Sequence, residues 1–439
     1  MSDLFNPLAL PCGHTIPNRL AKAAMEENMA DQAPQLSGLP DGVGQVPGER
    51  LVNLYRAWAQ GGAGMLITGN VMVDERALTG PGGVVLRADT LDVPEVRERF
   101  EAWAQAARSG GATLVMQISH PGRQLYAAQG QEALSASDSR LDMGSETLSK
   151  LFAPARAMTE DEIRGTIRRF GETALAAKSA GFDGVQVHAA HGYLLAQFLS
   201  PLTNRREDEW GGPLENRARL LLEIVRTVRD RVGSGFVVAV KLNSADFQKG
   251  GFDVGDATQV VDWLGAEGVD FVEVSGGTYE SSAMMGESQD GRVSQSAAKS
   301  TRDREAYFLD FAEEIARAAS MPIMVTGGVT RRDTAERVVG TPGIDLVGLA
   351  RALIITPDLP NRWRAGDSTD GPVQTVNWKI PALRSLANMA IAKANLRRMS
   401  RGEKTKRRVN PILASAVQQK NQAMQSRRYK AWMEAQGHD

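Results

Sequence analysis

The chain has 439 residues, a formal net charge of −1 and a single cysteine, Cys12. That length suffices for one large core with chain to spare, against roughly 100–200 residues for a usual domain and about 250 for a single barrel. The near-zero charge removes any global reason to expect nucleic acid as a partner, and one cysteine excludes an internal disulfide and any cysteine-built metal or iron–sulfur site. Met1–Pro7 carries no basic leader, and no later segment offers about 20 uninterrupted apolar residues. The expectation is a soluble, cytoplasmic protein that engages no membrane.

Short apolar runs alternate with longer helix-patterned runs. The strand candidates, in order, are Arg19–Ala24, Gly64–Thr68, Thr113–Ile118, Gly184–His188, Phe236–Leu242, Phe271–Val274, Ile323–Thr326 and Leu346–Gly348. Between them lie helix candidates at Val93–Ser109, Thr159–Ala180, Pro213–Val232, Asp256–Gly268 and Arg304–Ala319. Thr159-Glu160-Asp161-Glu162 and Asp256 supply acidic first turns. Eight strands is the number that closes a parallel (β/α)8 TIM barrel. The rival is an open doubly wound sheet, but no GxGxxG turn follows the first strand, so the barrel is favoured.

Three long loops, Asn28–Gly48, Ala127–Pro154 and Gly277–Thr301, interrupt the pattern and read either as lids and binding loops or as disorder. Composition changes near the end, giving a barrel domain over residues 1–365 and an extension over 366–439. The extension holds fourteen Lys/Arg and five Asp/Glu, a local balance of +9. It reads as a helical arm that binds an anion or a second subunit, or more plainly as an appendage with a solvated charged face.

The densest chemistry follows the fourth strand candidate. In Gly184-Val185-Gln186-Val187-His188, Gln186 and His188 share one face and the valines the other. His188 closes the strand, and His191 and Tyr193 follow in the turn. Two imidazoles and a phenol would therefore meet at the carboxyl end of a strand, where barrel active sites collect. Taken alone, HxxH is also half of a metal site or a structural pair. No convincing third metal ligand accompanies it.

Several longer motifs surround this cluster. They are Asn18-Arg19-Leu20, Gln117-Ile118-Ser119-His120-Pro121-Gly122-Arg123, the run His188 to Pro201, Asn204-Arg205-Arg206 with Trp210-Gly211-Gly212 and Glu215-Asn216-Arg217, then Thr326-Gly327-Gly328 and Ala350-Arg351. With these residues the chain resembles the old yellow enzyme family of flavin-dependent ene-reductases from Phe5 to about Arg364. The resemblance implies FMN at the carboxyl ends of the strands and NADH or NADPH as reductant entering the same cavity. It further implies that His188 and His191 hold the oxygen of an electron-poor alkene while Tyr193 delivers a proton. For cofactor contacts it implies Gln117 at the flavin pyrimidine edge, Lys241 near flavin N1 and O2, and Gly327, Gly328, Val329, Ala350 and Arg351 around the phosphate.

The first strand exit, Ala23-Ala24-Met25-Glu26, departs from the family pattern. Familiar members carry Pro at the position of Ala24 and Thr or Cys at that of Glu26, and a small residue where this chain has Asn70. Ala23, Ala24, Met25 and Asn70 are still expected to line the flavin and Glu26 to face the substrate. An ionised Glu26 would oppose gain of negative charge by the flavin unless protonated or turned away. The lone Cys12 excludes the cluster of the family branch that includes dienoyl-CoA reductase and trimethylamine dehydrogenase. The rivals are a related FMN-barrel dehydrogenase or demethylase, and a flavin-binding protein without efficient turnover. Whether the chain forms a homo-oligomer is open.

Overall fold

Eight short apolar strands buried on both faces can satisfy every backbone group by pairing in a closed ring, and that is what this chain does. The structure is a computed structural model that describes residues 3–32, 44–276 and 309–437. Its barrel strands are β1 (Leu20–Lys22), β2 (Met65–Ile67), β3 (Thr113–Ser119), β4 (Gly184–Ala189), β5 (Val237–Asn243), β6 (Phe271–Ser275), β7 (Ile323–Thr326) and β8 (Ile344–Leu349). Each pairs in parallel with the next, and β8 returns to β1 through Val347 opposite Leu20. The fold is thus the expected (β/α)8 barrel, with each expected strand present to within a few residues.

The outer layer contains α1 (Glu49–Ala59), α2 (Pro94–Arg108), α3 (Glu160–Ser179), α4 (Leu214–Val232), α5 (Val254–Ala266), α6 (Leu309–Ala316), α7 (Arg332–Val339) and the short α8 (Arg351–Ile355). Local chemistry sets several of their starts. The Thr159 hydroxyl accepts from Glu162 N–H while the Glu162 carboxylate accepts from Thr159 N–H, a reciprocal cap at the head of α3. Helix α5 starts two residues before the expected Asp256, because Asp253 caps it by accepting from Asp256 N–H at 3.0 Å. Of the expected helix at 304–319, residues 304–308 lie outside the described residues.

One end of the barrel is closed. An antiparallel pair, Leu8–Ala9 with Thr15–Ile16, places Leu8, Leu10 and Ile16 against Ala21, Met65, Phe271, Met324 and Leu346 inside the barrel. That plug fills the amino-terminal end and leaves chemistry to the carboxyl-terminal mouth.

Two expected loops fall partly or wholly outside the described residues: 33–43 of the first, and all of Gly277–Thr301. The remaining one, Ala127–Pro154, is more ordered than its composition suggested. Its Ala133–Ser135 pairs in parallel with Ala155–Ala157, and Ser145 caps a short helix, Glu146–Ser149.

The basic extension forms α9 (Pro381–Met399) and α10 (Pro411–Ala435), which pack on each other. It is more than a solvated appendage. Helix α9 also meets α1 and α8, and the last turns of α10 bury Tyr429, Trp432 and Met433 against Met72, Leu78 and Val85 at the barrel rim. The Tyr429 hydroxyl donates to the Glu75 carbonyl at 2.8 Å. A Cβ on Gly44 would lie 2.7 Å from the Trp432 ring, so a residue without a side chain is what admits the indole. Truncating a buried tryptophan typically costs about 3–5 kcal/mol. Trp432→Ala should therefore lower the free energy of denaturant unfolding by about that amount; a loss below about 1 kcal/mol would mean that the extension is not seated on the rim.

Candidate active site

Because β4 alternates, Gln186 and His188 point into the barrel, and the parallel register carries the same face across its neighbours. Gln186 lies opposite Gln117 on β3, His188 opposite Lys241 on β5, and Lys241 opposite Glu273 on β6. The side chains link in that order: Gln117 Nε2 donates to Gln186 Oε1 at 2.7 Å, Gln186 Nε2 to Glu273 Oε2 at 2.8 Å, and Lys241 Nζ to Glu273 Oε1 at 2.8 Å. All four are buried. Sequence reasoning singled out Gln117 and Lys241 and missed Glu273, although Val272-Glu273-Val274 alternates and marks a carboxylate turned into the barrel.

Above this chain lies the histidine pair. The His188 and His191 ring centroids are 5.1 Å apart at 82°, and the Tyr193 ring stands 4.9 Å from His188 at 89°. Ala190 N–H donates to His188 Nδ1 at 3.2 Å, so the neutral ring carries its proton on Nε2. His191 reaches its place through a left-handed backbone, φ +60°. Its N–H donates to Asn243 Oδ1 at 3.0 Å, and its Nε2 lies 2.8 Å from Ser275 Oγ. Ser275, also unanticipated, shares the inward face of β6 with Glu273.

Burial holds both imidazoles well below the usual histidine range, with Lys241 adding repulsion for both and His191 adding it for His188. They are neutral donors near pH 7, and sites for a third proton-poor ring exist as well: burial takes His120 down to about 4.

The first strand exit is held from two sides. On the outer face of β1, Lys22 Nζ pairs with Glu27 at 3.2 Å and donates to the Ile67 carbonyl at 2.8 Å, and Tyr55 Oη donates to Glu27 Oε1 at 2.7 Å. From α9, the buried Lys393 ammonium donates to the Glu26 carbonyl. Burial lowers the Lys393 pKa, and the charges of Glu26 and Glu27 oppose that fall. A cation from the extension thus stands beside the carboxylate that departs from the family pattern. Nothing in residues 381–399 announced this contact.

The remaining expected positions gather at the same mouth. Ala23 is buried, Ala24 and Met25 are half-buried, and buried Asn70 Oδ1 and Glu26 Oε1 have no hydrogen-bond partner among the described residues. Register places Thr326 beside Gly348, which brings Gly327-Gly328 next to Ala350-Arg351. Gly328 has φ +71°, Thr326 Oγ1 is buried with no partner among the described residues, Val329 is buried and Arg351 is exposed. Such a mouth can take a flavin: amide, ammonium and unpartnered oxygens for the ring, and accessible backbone N–H groups with a guanidinium for a phosphate.

Residues 3–370 match the NADH:flavin oxidoreductase / NADH oxidase family. The chain belongs to that family, the old yellow enzymes. It is an FMN oxidoreductase whose homologues are NADH- or NADPH-dependent. It is 39% identical over 374 residues to the NADH-dependent flavin oxidoreductase iliE of Neonectria sp. (strain DH2), covering 82% of this chain and 47% of that protein. It is equally identical over 347 residues to the NADH-dependent flavin oxidoreductase nadA of Aspergillus parasiticus, covering 78% of this chain and 74% of that one. The chain thus spans about half the length of the first relative and most of the second. Among solved structures, a 2-naphthoyl-CoA reductase complex superposes with TM-score 0.70 at 27% identity, covering 83% of this chain and 52% of that one. The old yellow enzyme homologue of Zymomonas mobilis shares the fold, with TM-score 0.65 at 24% identity over 84% of this chain and 94% of that one. No described helix is long and apolar enough to cross a membrane, and among the described residues no group of three His, Cys, Asp or Glu could hold a metal ion.

The depressed pKa values of His188 and His191 in this old yellow enzyme predict a pH response. Their folded pKa values are depressed below the unfolded value of about 6.5, so between the two the unfolded chain binds more protons and stability falls as pH falls. Unfolding free energy, measured from pH 7.5 to 5, should be flat above about pH 7 and then drop by up to about 1.4 kcal/mol per pH unit for each such histidine. A flat profile down to pH 5 would show that the rings protonate freely in the folded protein.

Proposed function

We propose that this protein is an ene-reductase, using NADH or NADPH to reduce the activated C=C bond of an enone or a similarly electron-poor alkene. The observation that carries the reading is the neutral pair of buried His188 and half-buried His191 with the Tyr193 phenol packed against it. Bound FMN supplies the hydride, taken from the nicotinamide and passed to the alkene. Gln117, Lys241, Asn70 and the Ala23-Ala24-Met25 turn would hold the flavin ring, and Gly327, Gly328, Val329, Ala350 and Arg351 its phosphate.

The acceptor's oxygen gains negative charge as hydride arrives at the β-carbon. His188 Nε2–H is a donor for that oxygen, and one such preorganised donor commonly contributes about 2.7–4 kcal/mol in an enclosed site. His191 serves as the second donor when the Ser275 hydroxyl donates into its Nε2, which leaves the ring proton on Nδ1. Tyr193 then gives its phenolic proton to the α-carbon. A phenol is neutral at pH 7 and suits this step, worth commonly about 10²–10⁴-fold. Lys241, paired with Glu273, would hold one cation for the flavin ring without leaving a net charge in the barrel. Glu26 faces the substrate side, with Lys393 as its neighbouring cation.

His188→Ala with His191→Ala should retain FMN and its reduction by NAD(P)H, while reoxidation by cyclohexenone slows by about 10²-fold or more. Equal rates for wild type and variant in anaerobic stopped flow would sink the histidine assignment. Tyr193→Phe should leave binding of the enone intact and slow only its reduction, by about 10²–10⁴-fold; unchanged single-turnover reoxidation would move the proton source elsewhere.

A further inference from the structure

A second recess, with a volume of about 280 Å³, lies between the first strand exit and the two helices of the extension. Its walls bring four cations together: Arg50 from α1, Lys393 and Arg397 from α9, and Arg428 from α10. The two carboxylates on the wall face other partners, Glu27 being engaged by Lys22 and Tyr55, and Asp31 by Arg99 at 3.0 Å. Among the described residues Arg50 and Arg428 form no ion pair. Arg397 uses Nη1 on Gln418 Oε1 at 2.7 Å, but its Nη2 is buried with no acceptor among the described residues. Lys393 is 95% buried, since its relative exposure is 5%, and spends one donor on the Glu26 carbonyl.

Such an arrangement is costly where a guanidinium donor is left without an acceptor. A buried guanidinium donor without an acceptor loses its water and regains nothing, at about 1–3 kcal/mol or more for a charged group. The cations also oppose one another: Arg397 is held below its ordinary pKa by burial first, then by Arg401 and Arg50, while Lys393 is lowered by burial, raised in part by the charges of Glu26 and Glu27, and lowered again by Arg397. An anion would relieve both penalties at once. The recess is smaller than the roughly 300–1,000 Å³ of sites that enclose whole drug-sized ligands. It therefore suits a small anion or the end of a larger one. Forked guanidinium groups beside an ammonium match the tetrahedral oxygens of a phosphoryl group.

We infer that this recess is a phosphoryl-binding site, formed jointly by the first strand exit and the basic extension, and separate from the residues assigned to FMN. The phosphoryl group comes either from free phosphate or from the adenosine portion of the reductant. The geometry is silent on reduction chemistry, so the site stands or falls apart from the ene-reductase reading.

Thermal unfolding of the FMN-loaded full chain tests it, with inorganic phosphate titrated at constant ionic strength against chloride, and adenosine 2′,5′-bisphosphate as the second probe. Wild type should show a saturable rise in Tm. Arg397→Gln should abolish it, and Arg50→Gln, at an exposed position that the fold does not need, should weaken it by at least about tenfold. Tighter saturation by adenosine 2′,5′-bisphosphate, lost in both variants, supports the site and assigns it to the reductant; saturation by inorganic phosphate with no gain from the adenosine supports it and assigns free phosphate. No shift above the chloride control, or a shift that Arg50→Gln and Arg397→Gln both keep, overturns the proposal.

Discussion

The polar row inside the barrel sets the terms for everything above it. Gln117, Gln186, Glu273 and Lys241 run side by side across four adjacent strands, each satisfied by the next. A buried ammonium is tolerable there because Glu273 compensates it, and Glu273 is tolerable because Gln186 occupies its second oxygen. Such a row fixes strand register: a slip of one residue on β5 would turn Lys241 outward and leave Glu273 as an unpaired charge in an apolar core. The same register puts His188 directly beside Lys241. The cation that helps keep the imidazoles neutral is therefore the one that the barrel needs for its own electroneutrality.

A second theme is that the extension belongs to the mouth. Tyr429, Trp432 and Met433 supply the apolar hold, and Lys393 carries the polar contact to the Glu26 backbone. The carboxylate at Glu26 stands where familiar relatives have an uncharged residue, and this chain provides both an anchored neighbour, Glu27 on Lys22, and a cation from α9. Departure from a family pattern at one position is thus matched by residues more than three hundred and fifty positions away in the chain.

Much of this was legible beforehand, and the reasons are specific. Short apolar runs alternating with helix-patterned runs marked the barrel strands, and strict alternation around Gln186 and His188 marked the inward face. Glu273 and Ser275 carried the same period-two signal and could have been read from it. By contrast, no periodicity could show that Lys393 reaches Glu26 or that Arg50 and Arg397 meet, because those contacts depend on how two helices fold back over the rim. The charge count of the extension revealed its basicity and left its seat unknown. Lys22 was equally hidden: a lysine within an apolar strand run looks like an interruption until Tyr55, Trp58 and Glu27 surround it.

The pairing of Gln32 with Gln425 joins residues 393 positions apart. All eight barrel strands precede both helices of the extension, so during synthesis the rim beside Glu26 cannot be completed until α9 and α10 have themselves left the ribosome. Up to that point the mouth lacks one wall.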